Sequence, residues 1–298
     1  MIAAVNLSAR GNTLKTYGKK RRGHGCLTAL IILALLAAGC AFLIKDSSKR
    51  LEVSSYELAS SKLPESFDGF RIVQLSDLHG AEFGSDGLEL VERVAALEPD
   101  IIALTGDFVT DEGDLEAVEK LAGRLTKLCP VYFVSGNHEF GSGLAAQVRG
   151  IMERAGVKYM SNEYLTISRG EDSILLGGVE DPLAYADMLT PEELAQEMLE
   201  AEPDAFKILL GHRNYWMTEY PELPVDLILS GHAHGGLVRI PGVGGLIGTD
   251  RHLFPDFVDG QFYNGSYTMI VSRGLGNSVP LPRIFNRPEI VCVTLSSE

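Results

Sequence analysis

Five segments of the sequence place acid, imidazole and amide side chains directly after short apolar runs. RIVQLS (71–76) leads into Asp77-Leu78-His79, IIALT (101–105) into Gly106-Asp107, and VYFVS (131–135) into Gly136-Asn137-His138-Glu139. ILL (208–210) leads into Gly211-His212, and LILS (227–230) into Gly231-His232-Ala233-His234. Of the seven histidines, five sit in these segments and only His24 and His252 lie elsewhere. Mixed carboxylate, imidazole and amide donors suit divalent ions of intermediate hardness, Mn²⁺, Fe²⁺ or Zn²⁺; oxygen ligands alone would favour Mg²⁺ or Ca²⁺, and thiolates structural zinc. The set is too large for one ion, whereas two ions sharing a carboxylate accommodate it. Two metals about 3.5–4 Å apart clamp the attacking and leaving oxygens of an in-line phosphoryl displacement. Each segment alone is ordinary: Gly-Asp after a strand is turn chemistry, and Asp-x-His is commonly a turn with a satisfied histidine. Their joint occurrence is what points to a metal centre.

These residues need elements to bring them together. Short apolar runs predict buried strands at 71–76, 101–105, 131–135, 174–179, 208–210, 227–230, 269–272 and 290–295. Between them, Leu88, Val91, Val94, Ala95 and Leu97 recur at helical spacing, as do Leu115, Val118, Leu121 and Leu125 behind Asp114 as N-cap. Thr190-Pro191-Glu192-Glu193 reads as a helix start, with Thr as cap and Pro in the first turn. The pattern predicts an α/β fold of two sheets faced by helices, in which functional groups collect beyond the carboxyl ends of strands. The glycine- and proline-rich stretches 235–248 and 273–288 predict loops.

The N-terminus differs in kind. Leu27–Ile44 carries no charge and is just long enough to cross a membrane. Lys15, Lys19, Lys20, Arg21 and Arg22 precede it, which predicts a cytoplasmic leader (1–26), a single-pass signal anchor in the cell membrane (27–44) and an extracytoplasmic body (51–298). A cleaved signal peptide and a lipoprotein signal around Ala37-Ala38-Gly39-Cys40 are the alternatives. The formal charge of −14 is unevenly spread: residues 1–50 hold nine Lys/Arg against Asp46, leaving 17 basic and 39 acidic residues, net −22, in the body. Such a body excludes broad nucleic-acid binding, which depends on basic side chains neutralising phosphates. The four cysteines form no framework, and Cys129 and Cys292 read as strand-end residues.

The order D-x-H, G-D, G-N-H-E, G-H, G-H-x-H resembles the calcineurin-like metallophosphoesterases over roughly residues 76–234, and the tail GHAHGG…SRGLG…PRIFNRPEI is similar to their membrane-anchored bacterial branch, which includes lipid-sugar pyrophosphatases. The resemblance implies a four-layer α/β sandwich and hydrolysis of a phosphodiester or pyrophosphate, including a lipid-linked envelope substrate, by a metal-bridging hydroxide. It implies that Asp77, His79 and His234 hold one metal, that Asn137, His212 and His232 hold the other, and that Asp107 bridges them, with Mn²⁺ as the favoured ion. It also implies that His138 stays off the metals and protonates the leaving group, while Glu139 orients a neighbouring imidazole. Purple acid phosphatases carry tyrosine where this chain has Thr110, and D-x-G where it has Asp77-Leu78-His79, so a colourless enzyme is expected.

Further substrate contacts are sought in His252, in a glycine-rich stretch, and in Arg273, Arg283 and Arg287, which could grip a diphosphate or lipid headgroup. Ion pairing with Asp256, Asp259 or Glu289 competes for these arginines, and core packing competes with a cleft role for Trp216. Two other activities stand beside the main expectation: a phosphomonoesterase acting on proteins or small molecules, and a non-catalytic protein that captures metal or phosphate.

Overall fold

A computed structural model describes residues 23–184, 188–249 and 251–298. The basic leader residues Lys15, Lys19, Lys20, Arg21 and Arg22, and Asp250 beside His252, lie outside the described residues. The chain divides into two units after Phe42. Helix α1 (Gly23–Lys49) contains one segment, Leu27–Lys49, long and apolar enough to cross a membrane. Large side chains along it, including Leu33, Leu35 and Phe42, are exposed.

The part from Leu43 onward is built on two six-stranded sheets. The first contains β1 (Glu52–Ser60), β2 (Arg71–Leu75), β3 (Ile101–Thr105), β4 (Val131–Val134), β5 (Lys158–Tyr159) and β14 (Glu289–Ser297), ordered β1-β14-β2-β3-β4-β5. Its ladders are parallel except between β14 and β2. The second contains β6 (Glu163–Arg169), β7 (Asp172–Gly178), β8 (Lys207–Leu210), β9 (Leu227–Ser230), β12 (Gly260–Tyr263) and β13 (Thr268–Val271), ordered β12-β13-β9-β8-β7-β6 and antiparallel only at its two edges. A small hairpin, β10 (Arg239–Ile240) and β11 (Gly244–Gly245), interrupts a stretch the sequence predicts as loop.

Three apolar layers hold the sandwich. Ile72, Ala103, Val134, Leu176, Leu210 and Leu229 meet between the sheets. Helices α2 (Leu88–Ala95), α3 (Leu115–Leu125) and, after the short α4 (Asn137–Gly141), α5 (Ala145–Arg154) cover the outer face of the first sheet through Leu90, Val94, Val118 and Val148. Helix α6 (Pro191–Ala201) covers the second through Leu194 and Met198. The layers therefore run α/β/β/α, and strands buried on both faces explain the nearly continuous apolar runs. Trp216 is buried in the outer layer with Leu194 and Met198, and it also lines a cavity of about 180 Å³ that borders His212 and Arg213.

Two helix starts illustrate how local sequence sets these layers. Thr190 Oγ1 accepts from Glu193 N–H at 3.2 Å and Glu193 returns the bond to Thr190 N–H at 2.8 Å, the reciprocal cap that the sequence predicts. At α3 the expected Asp114 cap is replaced by a short 3₁₀ turn, Glu112–Asp114, that begins one turn earlier; Asp111 accepts from Gly113 N–H, and Asp114 reaches back to Thr110 and Asp111 N–H.

Candidate metal centre

The five predicted segments lie at the carboxyl ends of β2, β3, β4, β8 and β9, three strands of one sheet and two of the other. The sheets are pinned together beneath them. Gln74 Nε2 donates to Ser230 O across the sandwich at 2.8 Å, and His232 N–H donates to both oxygens of Asp77 at 3.0 and 3.1 Å. Asp77 N–H and His79 N–H continue the β2–β3 ladder onto Gly106 O and Asp107 O. Close approach requires glycine at two points. Gly106 has φ +83°, and a Cβ there would meet Gly136 N at 2.6 Å. A Cβ on Gly231 would land on Ser76 Oγ and Asp77 Oδ2.

Asp77, His79, Asp107, His232 and His234 all have φ between 48° and 69°, a conformation that L side chains avoid. Such strain persists only where the surroundings over-determine it, and it clusters at working sites. The turn aims each side chain back over the strand end. The resulting groups are Asp77, His79 and His234; His79, Asp107 and His138; and Asp107, His212 and His232. In each, one donor atom per residue lies within 4.8 Å of the others. Asp107 Oδ2 is 3.1 Å from His212 Nε2 and 3.8 Å from His79 Nε2, so one oxygen faces both halves. The other oxygen, Oδ1, accepts from His138 N–H at 2.7 Å. His79 and His234 Nε2 are 3.3 Å apart, with Asp77 Oδ1 at 3.5 Å from His234. On the other side Asn137 Oδ1 and His232 Nδ1 each lie 3.2 Å from His212 Nε2.

The donor set fits divalent cations. His212 Nδ1–H donates to Thr105 O at 2.8 Å, which turns Nε2 toward Asp107 and Asn137. Thr110 Oγ1, 3.1 Å from His79 Nδ1, holds that ring with Nε2 inward. His234 Nδ1 is buried with no partner, so that ring is oriented through its Nε2 side alone. Burial drives His79 down to about 3, and burial also holds His232 and His234 well below the usual imidazole range, so these three rings are neutral donors. Burial opposes charge on His212 as well, yet the adjoining Asp107 carboxylate overcomes it and lifts His212 to about 10. Positive charge is therefore favoured beside Asp107, and a proton or a metal ion satisfies the same demand.

The remaining predicted residues fare differently. His138 is half-buried at the edge of the cluster, its ring edge-on to His79 with centroids 4.6 Å apart. Glu139 does not orient an imidazole. Its fully buried carboxylate accepts from the N–H groups of Gly136 (2.7 Å), Asp107 (3.0 Å) and Phe108 (2.7 Å), which clamps the β3 and β4 loops together. Arg273 is committed to Glu289 (3.0 Å) and Glu52 (3.2 Å) rather than turned into the cleft, because two carboxylates at the start of β14 and β1 flank it. Arg287 pairs with Asp46 at 2.8 Å, and buried Arg283 donates to the carbonyls of Gly276, Arg273 and Asn286. His252 is exposed and lines a cavity of about 490 Å³ that also borders His232 and Asn214.

Two supports carry no motif. Asn286 Nδ2 donates to His234 O at 2.6 Å and Leu237 O at 3.1 Å, fixing the turn that carries His234. Arg213, held to buried Asp181 by bonds of 2.5 and 3.0 Å, approaches His232 Nε2 at 3.3 Å. An arginine directly after His212 was the available signal for the second; nothing local marks Asn286.

Comparison with known proteins agrees with this geometry. The metallophosphoesterase YkuE of Bacillus subtilis (strain 168), which is named as uncharacterized, is 30% identical over 257 residues, covering 83% of this chain and 86% of that protein. The phosphodiesterase YaeI of Escherichia coli (strain K12) is 27% identical over 236 residues, 76% of this chain and 82% of that protein. A zebrafish (Danio rerio) transmembrane protein with metallophosphoesterase domain is 29% identical over 295 residues, which cover 90% of this chain but only 62% of that longer protein. The model of the family described as calcineurin-like phosphoesterase matches residues 70–236, an interval that starts just before β2 and ends just past His234. The stretch of chain that builds the cluster is thus the stretch that defines the family, and the protein belongs to the calcineurin-like phosphoesterases, a family of phosphoester hydrolases.

Proposed function

We propose that this chain hydrolyses a phosphodiester or pyrophosphate at a dinuclear centre. Asp77, His79 and His234 would hold one divalent ion, Asn137, His212 and His232 the other, and Asp107 would lie between them. The observation that carries this reading is the single oxygen Asp107 Oδ2, which faces His212 on one side and His79 on the other. Two divalent ions bound there supply Lewis-acid polarisation of the phosphoryl oxygens and activation of the attacking water. The mixed donor set favours Mn²⁺, with Fe²⁺ and Zn²⁺ as the other suitable ions.

The chain's own groups do the rest. His138 is tethered through its backbone to the Asp107 carboxylate, and its half-exposed ring stands at the rim as general acid for the leaving oxygen. The 27% identity to a phosphodiesterase favours diester chemistry over monoester. The apolar helix α1 favours a single-pass protein with a substrate at the membrane surface, a lipid-linked diphosphate being one such compound, and the basic residues Lys15, Lys19, Lys20, Arg21 and Arg22 before it favour an extracytoplasmic body. Chelator-treated full-length protein should lose hydrolysis of an aryl phosphodiester and regain it with Mn²⁺. A metal-loaded protein inert toward diesters, pyrophosphates and monoesters alike would leave only metal or phosphate capture.

A further inference from the structure

Between His234 and β12 the chain presents large apolar side chains that the fold does not bury. Ile240 is 39% exposed and Val243 65%, both at the β10–β11 hairpin, whose tip is Pro241-Gly242. Leu253 is 66% and Phe254 58% exposed in the next loop, and Phe285, which lines one depression with Ile240 and Val243, is 48% exposed. The segments that carry them are stitched together: Arg239 N–H bonds Ile284 O at 3.0 Å, Leu246 N–H bonds Val238 O at 2.8 Å, and Phe254 N–H bonds Leu246 O at 3.0 Å. Phe254 and Phe285 also have φ of 53° and 52°, so the backbone is strained while the ring it presents gains no burial within the chain. Several large apolar side chains left exposed on connected segments mark an interaction site.

Two observations identify the occupant as the lipid surface. First, the hairpin residues Ile240 and Val243 and the ring of Phe285 line the same depression as Asp46, which sits in the last turn of α1 and is ion-paired to Arg287 at 2.8 Å. Asp46 falls within the apolar segment Leu27–Lys49, so the patch lies where that segment leaves a bilayer. Second, the arginines that line that depression are paired with acids. Arg239 pairs with Asp259 at 2.6 Å, Arg273 with Glu289 and Glu52, and Arg287 with Asp46. Among the described residues no uncompensated basic cluster therefore lines that depression to recruit an acidic protein or to select anionic headgroups, and Arg251 beside Leu253 is a single exposed base.

We infer that the β10–β11 hairpin, Leu253, Phe254 and Phe285 dip into the membrane interface by apolar insertion and seat the body against the bilayer. Leu253 and Phe254 also line the cavity that borders His232, so the inserted rim joins the lipid surface to the metal cluster and delivers substrate laterally from the membrane plane. The inference rests on α1 being a membrane span.

The test uses full-length protein in phosphatidylcholine vesicles whose acyl chains carry bromine, a short-range quencher of tryptophan. Trp216, the single native tryptophan, is buried and supplies a constant background. V243W and L253W add a probe at exposed positions, and L128W adds a control just before β4, at the opposite end of the strands. We expect V243W and L253W to show blue-shifted emission and to lose the added intensity in brominated vesicles but not in ordinary ones, with L128W unchanged in both. Protein that resists alkaline extraction while V243W and L253W stay unquenched, whether facing water or a second copy, overturns interfacial docking alone. Protein that washes off the vesicles overturns the span reading and docking with it.

Discussion

The two oxygens of Asp107 face different partners, and that asymmetry organises the cluster at the scale of single residues. Oδ1 is occupied by His138 N–H and Oδ2 is left to the imidazoles, so the residue proposed as bridge also sets the position of the residue proposed as acid. His138→Ala should therefore keep its metals while kcat falls about 10²–10⁴-fold, the usual loss for a general acid; equal metal loss in this variant would contradict the division of roles. Glu139 is the structural counterpart, a buried carboxylate satisfied by backbone donors from two loops. Glu139→Ala strands those N–H groups without acceptors, at about 1–3 kcal/mol for each buried unsatisfied group. Denaturant unfolding should show a loss of about 3 kcal/mol or more, and a loss below about 1 kcal/mol would mean that water replaces the carboxylate.

At the scale of elements, helix starts and strand ends carry most of the specification. Thr190→Ala removes the side-chain acceptor of the α6 cap and should cost about 1 kcal/mol in thermal or denaturant unfolding without altering metal content. What the sequence reveals at this scale follows burial. All eight runs predicted as strands are interior strands, with β14, β4, β13 and β7 just inside an edge, where both faces are covered and the residues are largely apolar. The strands it misses include all four sheet edges, β1, β5, β6 and β12, whose side chains are largely half-exposed or exposed, so EVSSYELAS and EYLTISR lack a continuous apolar run. The site follows the same logic. Its ligand candidates are legible because each is local to a strand end, whereas Asn286 acts on His234 across 52 residues and Arg213 acts through Asp181 across 32. Glu139 and Arg273 are less legible for a related reason, since a carboxylate or guanidinium does not announce whether backbone, side chain or substrate will satisfy it.

At the scale of the whole molecule, the net charge of −22 in the body misleads about phosphate, because Asp77 and Asp107 face imidazoles inside the cluster and are not presented to solvent. The fold also sets an alkaline limit. Burial pushes Tyr267 up to about 12, and burial aided by Glu289 and Asp259 does the same for Tyr56. Their ionised forms belong to the unfolded chain, where tyrosine titrates near 10. The stability they contribute is complete below pH 10 and should be lost as pH rises through 10 to 12, seen as a falling midpoint in thermal melts tracked alongside tyrosinate absorbance. Full stability retained at pH 12 would contradict that assignment. The central claim, one carboxylate shared by two metals, is tested most directly by counting metal in protein reconstituted with Mn²⁺. Mass spectrometry or atomic emission should find two ions per chain in the native protein and loss from both positions in Asp107→Asn. One ion per chain in the native protein, or two retained in the variant, would contradict it.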